Sequence, residues 1–213
     1  MSADLRGRLA DRAAREGFEL DSWLASSFLS YLEILLHWNR KVNLTSLSDP
    51  DEVIDRLLLE PLAAASILPH GACLADLGSG GGSPAIPLAL ALGASHLLMV
   101  ESRSRKAAFL REAAREVGLN ATVEAARFED VVTRPVYSTS FEVVSIRAVR
   151  PDSSTLESAA TLLRPSGLVA LFRGADGPEM PDFLPSILAW RETRPLLPST
   201  RSRLSVLFHV EQS

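Results

Sequence analysis

The segment from Ala72 to Gly82 constrains the fold of this chain more than any other. A short apolar run, Ala72–Leu77, stops in the turn Asp76-Leu77-Gly78-Ser79-Gly80-Gly81-Gly82. A run of that length and character reads as a buried strand, and a glycine-rich turn leaving it lets a ligand approach the backbone. The helix that follows would present free N–H groups at the same place. Strand and helix patterns then alternate. His96–Val100 is a second strand candidate, followed by the helical stretch Arg103–Val117 and a stop at Gly118. Ala121–Ala126, Phe141–Ile146 and Leu168–Phe172 are the third, fourth and fifth, with Ser153–Leu163 helical between the last two. Repeated βα units of this kind predict an α/β fold, a mostly parallel twisted sheet with helices on both faces. Leu204–Val210 reads as one more strand with no helix after it, an antiparallel edge partner near the C-terminus.

Residues before this alternation have a different character. From Trp23, apolar positions recur at Leu24, Phe28, Leu32 and Leu35/Leu36, which is helical spacing, with Asp21 and Ser22 as candidate N-caps. Ser48-Asp49-Pro50 opens another helix. The polar stretch Asn39–Ser46 between them is a loop. The chain is therefore divided into a helical extension, 1–68, and an α/β core, 69–213. The basic segments Arg6–Arg15 and Arg191–Arg203 read as solvated surface.

The spacing of the glycines narrows the ligand. A dinucleotide fingerprint, G-x-G-x-x-G, would place its last glycine at position 83, which is Ser83. The glycines here are Gly78, Gly80 and Gly82, with Asp76 two residues before the first. That G-x-G-x-G form resembles the first motif of class I methyltransferases, whose cofactor is S-adenosylmethionine. The resemblance implies a Rossmann-like fold, with Asp76 near the methionine amino group and the glycines under the adenosine. Glu101 ends the second strand roughly 20 residues past the glycines, where α/β nucleotide binders place a carboxylate for the ribose hydroxyls. The alternative for Glu101 is a cap on the next helix, a role Ser102 would also serve.

Exclusion bears on the methyl acceptor. No Pro-Pro occurs in the chain, so the clamp typical of exocyclic amino methylation is missing. Methylation at pyrimidine C5 needs a cysteine nucleophile. The one cysteine, Cys73, stands at the start of a buried strand. An acceptor already nucleophilic remains, such as guanine N7, whose lone pair carries no proton and needs alignment rather than a strong base. A single cysteine also builds neither an internal disulfide nor a zinc cluster, so no metal is expected and the usage fits a reducing cytosol. No apolar run reaches the roughly 18 residues a bilayer requires. Leu58–Leu68 is broken by Glu60 and Pro61, and the N-terminus lacks a secretory apolar region.

Several short stretches together are more specific. Trp38-Asn39 with Asn43-Leu44-Thr45-Ser46, the glycine turn with Pro84-x-Ile86-Pro87-Leu88, and Glu101-Ser102 with Lys106 and Phe109-Leu110 form one set. Arg127-Phe128-Glu129 and Ser145-Ile146-Arg147-Ala148 complete it. Over nearly the whole chain, from about Leu29 to Val210, this resembles the bacterial GidB/RsmG family. Its members methylate guanine N7 in the decoding-region loop of 16S ribosomal RNA. The resemblance implies that Gly78 and Ser83 line the cofactor, with Phe128 and Glu129 beside the adenine. It implies that Arg147 sits at the cofactor and active site, where a guanidinium would hold a phosphate or the guanine edge by a bidentate contact. The alternative for Arg147 is a sheet-end salt bridge. Three positions depart from the family pattern: Ala85 for glycine, Leu57 for the histidine of an Arg-His pair that Arg56 begins, and Arg173 for lysine. Leu57 argues against a general base there; Arg173 keeps a charge for a phosphate contact.

The basic residues outnumber no one: 22 against 26 acidic, net charge −4, so a nucleic acid would have to be met by a local patch. Candidates for such contact are Asn39, Asn43, Arg103, Lys106 and Arg127. For the helix after Glu101, with its run of basic residues, a solvated face is the competing reading. Trp38 would stack on a base or end its helix in the core. The partner implied is 16S ribosomal RNA or a small-subunit assembly intermediate. A reading of another class is a non-catalytic cofactor-binding module that meets a protein partner through its helical N-terminus. Methylation of a small molecule is a lesser alternative, as the chain has no extended lid segment.

Overall fold

The computed structural model describes residues 2–147, 149, 151–174 and 184–210. Ala148 and Arg150 lie outside the described residues. The first helices are α1 (Ser2–Arg15), α2 (Ser22–Asn39) and α3 (Pro50–Ile54), then a π-helical turn, Asp55–Leu59, and α4 (Glu60–Ala65). Asp21 caps α2 by accepting from Leu24 N–H at 2.7 Å. Asp49 caps α3 in the same way from Glu52 N–H at 2.9 Å, with Pro50 in its first turn. The α/β part follows as β1 (Cys73–Leu77), α5 (Ala85–Leu92), β2 (His96–Val100), α6 (Ser104–Glu116), β3 (Ala121–Glu124) and α7 (Phe128–Val131). After a 3-10 turn at Pro135–Tyr137 come β4 (Phe141–Arg147), α8 (Ser153–Leu162), β5 (Leu163–Arg173), β6 (Leu188–Pro195) and β7 (Arg203–His209). Among the described residues no helix is long and apolar enough to cross a membrane.

Among the described residues the sheet has seven strands in the order β3-β2-β1-β4-β5-β7-β6. Pairing is parallel from β3 through β5 and antiparallel from β5 to β7 and from β7 to β6. The antiparallel strand near the C-terminus is present, but it is not the edge. β7 is inserted between β5 and β6, and β6 forms the rim. Its sequence, Leu-Ala-Trp-Arg-Glu-Thr-Arg-Pro, hid it, because charges and a proline suit a strand with one open side.

Successive residues of each strand feed two cores, as period-two alternation requires. Leu74, Leu97 and Met99 point to one face with α5, α6 and the N-terminal helices. Ala75, Leu98, Val144 and Leu171 point to the other, against α7 and α8. Phe28, Tyr31, Leu32 and Leu35 of α2 pack in the same cluster as Ile86, Leu88, Phe109 and Leu110, so the N-terminal helices share a continuous core with the sheet. Trp38 belongs to this packing too, its ring 6.0 Å from that of Phe109. The segment Arg6–Arg15, expected as solvated surface, is half of an amphipathic helix. Leu5, Leu9 and Ala13, four apart, are buried, while Arg8 and Arg12 pair with Asp51 and Asp55.

Candidate functional site

Strand register brings the site together. Leu77 lies opposite both Val100 of β2 and Ile146 of β4, so the three strands end in line. Gly78, Glu101 and Arg147 therefore emerge at one edge of the sheet. That edge is where the strand order reverses between β1 and β4, the crevice in which open α/β sheets hold ligands. A cavity of about 660 Å³ opens there. It is lined by Gly78, Gly80 and Ser83 of the turn, by Glu101, by Phe128 and Glu129 at the start of α7, and by Arg147. Arg103, Lys106 and Arg127 also reach its wall. Asn43 is exposed on an adjoining groove with Lys41, Arg103 and Lys106.

The turn is held from below and from the side. Gly78 N–H and Ser79 N–H both donate to Val100 O, at 2.9 and 3.0 Å. Tyr31 Oη, from the N-terminal layer, donates to Gly81 O at 2.6 Å. A Cβ on Gly81 would lie 2.9 Å from Leu44 O, so the loop after α2 rests directly on the turn. Asn39 shapes that loop. Its Oδ1 accepts from Leu44 N–H and Thr45 N–H, and its Nδ2 donates to Thr45 O. Asn39 was expected to meet RNA, yet this amide is engaged within the loop. Leu44, Thr45, Ser46 and Leu47 thereby become a wall of the cavity.

Two of the expected cofactor residues do not line the cavity. Gly82 is buried beneath the turn, against Ile86 and Leu110. Asp76 is buried one residue inside the end of β1, opposite Ser145, whose Oγ donates to Asp76 Oδ1 at 2.5 Å. Burial pushes the Asp76 carboxyl up to about 6, against the hydrogen bonds from Ser145 and Ser79 and the charge of Arg147, which lower it. Between the ordinary aspartate value and about 6 the folded chain holds a proton that the unfolded chain has released. Stability therefore falls as pH rises through that window, by on the order of 3 kcal/mol in all. Chemical denaturation at pH 4.5 and 7 is expected to show Asp76→Asn gaining on the wild type at the higher pH, since asparagine carries no such cost. A gap independent of pH would refute the assignment.

Glu101 performs the capping role and keeps capacity for another. Oε1 accepts from Arg103 N–H at 2.8 Å, just before α6, and Oε2 accepts from Gly80 N–H at 3.0 Å. The carboxylate links the second strand to the glycine turn and faces the cavity. Each oxygen has a second lone-pair site, enough for a pair of ligand hydroxyls.

Arg147 realises the salt-bridge reading. Its Nη1 donates to Arg56 O at 2.6 Å and to Ser83 Oγ at 3.3 Å, and its Nη2 pairs with Glu60 Oε2. The guanidinium lies over the Phe172 ring, 4.8 Å from the centroid. Burial lowers the Arg147 pKa, and the charge of Glu60 opposes that shift. The acceptor at Arg56 exists for a local reason. In the π-helical turn Glu60 N–H donates to Asp55 O, one residue earlier than in an α-helix, so Arg56 O loses its usual donor. Pro61 has no N–H to give to Leu57 O, which accepts instead from Ser83 Oγ at 2.9 Å. The two stranded carbonyls thus receive Arg147 and Ser83, tying the N-terminal layer to the glycine turn. Arg173, at the end of β5, is not among the cavity-lining residues.

The site suits a nucleoside-like cofactor: a backbone turn open to the cavity at Gly80, a carboxylate at the adjacent strand end, and an aromatic ring, Phe128, alongside. A family model for GidB, rRNA small subunit methyltransferase G, matches residues 24–179. The chain belongs to this family. It is accordingly an enzyme of the methyltransferase class. A ribosomal RNA small subunit methyltransferase G from Stenotrophomonas maltophilia is 38% identical over 178 residues, 83% of this chain and 82% of the relative. The same-named protein from Sorangium cellulosum is 38% identical over 169 residues, 78% of this chain and 70% of the relative. Among solved structures, TrmN from Thermus thermophilus aligns with a TM-score of 0.56 at 21% identity, over 85% of this chain and 53% of that one. M. jannaschii TYW2 in complex with AdoMet gives 0.52 at 16% identity, over 71% and 75%. These likenesses are of fold, a Rossmann-like methyltransferase sheet.

Sequence reasoning did not single out Glu60, Leu47 or Val149 as parts of this GidB-family site, and it named Arg56 and Leu44-Thr45-Ser46 only as parts of the resemblance, without a role in the cavity. A signal existed for one of them. Glu60 interrupts an apolar run and precedes a proline, which marks a buried carboxylate with a partner elsewhere in the chain.

Proposed function

We propose that the chain transfers the methyl group of S-adenosylmethionine to N7 of a guanine in the decoding-region loop of 16S ribosomal RNA. The substrate is the RNA itself or a small-subunit assembly intermediate, and the transfer is a direct in-line displacement with no covalent enzyme intermediate. The observation that carries this reading is the convergence of the G-x-G-x-G turn, Glu101 and Phe128 on one cavity at the switch point, in a chain of this family.

When bound, the cofactor supplies an electrophilic methyl on a sulfonium. The chain's residues hold and orient. Glu101 is assigned to the ribose hydroxyls, Phe128 and Glu129 to the adenine, and Gly78, Gly80 and Ser83 to the backbone cradle between them. Asp76, out of contact, places negative charge beneath the turn and so favours a cationic amino acid moiety above it. The acceptor end lies beside Arg147 and the π-helical turn. Guanine N7 brings a free lone pair, so the apolar Leu57 on that wall suffices where a base is not needed. Cys73, the only cysteine of the chain, starts β1 and is absent from the cavity wall, which fits transfer without an enzyme adduct. Residues 69–213 form the cofactor-binding core in this scheme. Residues 1–68 lend it the 44–47 loop and the π-helical turn.

Deleting the gene in its host and mapping N7-methylguanine in the small-subunit RNA tests the substrate. The mark in the decoding-region loop is expected to disappear and to return on complementation. Full retention of the mark in the deletion strain would exclude this substrate.

A further inference from the structure

Arginine grips phosphate best with two parallel N–H donors. Arg147 has one Nη group between Arg56 O and Ser83 Oγ and the other on Glu60. Glu60 is wholly buried, and its Oε1 has no partner among the described residues. Drawing Arg147 away to a ligand would leave that carboxylate with neither oxygen paired, a costly state in a buried site. Arg147 therefore acts as a strut.

Arg56 is in the opposite condition. It lines the same cavity, next to Arg147, and its carbonyl is fixed by the Arg147 Nη1 hydrogen bond. Its side chain is 41% exposed and, among the described residues, pairs only with Glu52, itself exposed, at 3.7 Å. A pair of that length in solvent holds its partners weakly. The Arg56 main chain is anchored while its guanidinium is available. The two guanidiniums are close enough that the Arg56 charge lowers the pKa of Arg147, so an anion arriving at this rim would relieve their repulsion. A π-helical turn is what brings Arg56 here, since the shifted hydrogen bond exposes the carbonyl that Arg147 captures.

We infer that Arg56, not Arg147, grips a phosphate of the RNA substrate at the methyl-acceptor end of the cavity. The inference rests on the RNA reading proposed above and names the side chain that meets the backbone of that RNA.

The test uses the full chain and an unmodified 16S RNA transcript. Arg56→Ala is expected to weaken RNA binding about tenfold or more, the effect of one charge-assisted hydrogen-bonded contact. The affinity for S-adenosylhomocysteine should stay within twofold. The slope of log affinity against log salt should fall in magnitude by about 0.7, the contribution of one single-strand phosphate. Arg56→Lys should keep that slope, and Glu52→Gln, by freeing Arg56, should bind RNA at least as tightly as the wild type. Wild-type RNA affinity in Arg56→Ala overturns the inference. So does a loss of affinity with an unchanged salt slope, which would mean a base contact or a distorted wall, and so does a parallel loss of S-adenosylhomocysteine binding. A wild-type chain that neither binds nor methylates the transcript, free or in partly assembled small-subunit particles, overturns the RNA reading as well. One that methylates it while Arg56→Ala behaves identically overturns this inference alone.

Discussion

Replacing Gly80 with aspartate is expected to abolish S-adenosylmethionine binding while the chain remains folded. Gly80 has φ +52, a left-handed conformation that aspartate adopts more readily than most residues. A Cβ there meets nothing closer than Gly78 O at 3.7 Å, so the substitution fits the backbone environment. The carboxylate would enter the cavity wall between the turn and Glu101, whose Oε2 lies 3.0 Å from Gly80 N. It would occupy the cofactor's path and set a second negative charge against the ribose-binding carboxylate. Calorimetric titration should show affinity reduced by more than about a hundredfold, while the melting temperature shifts by only a few degrees, as for a loss of about 1–2 kcal/mol at a strained position. Unchanged affinity would mean that the cofactor does not pass over this turn.

Arg147→Ala carries the largest expected effect on stability. It removes the only partner that a fully buried carboxylate, Glu60, has among the described residues, and strips a donor from Arg56 O and Ser83 Oγ together. Breaking a buried pair in this way costs about 3–5 kcal/mol, or on the order of 10 °C in melting temperature for a chain of this size. Replacing both partners at once, Glu60→Gln with Arg147→Met, should destabilise less than Arg147→Ala alone, because no charge is left without a counterion. Denaturant unfolding of the wild type and these two variants distinguishes the cases. A single mutant as stable as the wild type would show that the strut bears no load, and Arg147 would then be free to serve as a ligand contact.

Some of this architecture was legible residue by residue. His96–Val100 was bounded as a strand at the positions where the structure has it, and Ser153–Leu163 differs from α8 by one residue. Both are compact apolar or capped segments whose burial pattern is local. The N-caps Asp21 and Asp49 were readable for the same reason. Two elements were less accessible. The helix α1 was hidden by its arginines, although Leu5, Leu9 and Ala13 carry the period. β6 has too few buried positions to show a strand pattern without its neighbour β7.

The site divides along the same line. The glycine spacing, Asp76 and Glu101 could be proposed from local pattern, since a tight turn after a strand imposes glycine and places the next strand end at a regular distance. The partners that Arg147, Asn39 and Asp76 take could not. Arg147 meets Glu60 across 87 positions of sequence, and Asp76 meets Ser145 across 69. Asn39 folds back on the loop it begins, as an amide in a polar stretch does not announce.

The sequence by itself determined that the chain would bury repeated βα units in a mostly parallel sheet and leave a glycine turn at the end of its first strand. Apolar periodicity and glycine spacing are properties of neighbouring residues, so short stretches specify them. Only the tertiary structure decided which arginine is held and which is available. That choice depends on where Glu60, Ser83 and the stranded carbonyl of Arg56 meet, and pairing between distant segments is set by packing rather than by local pattern.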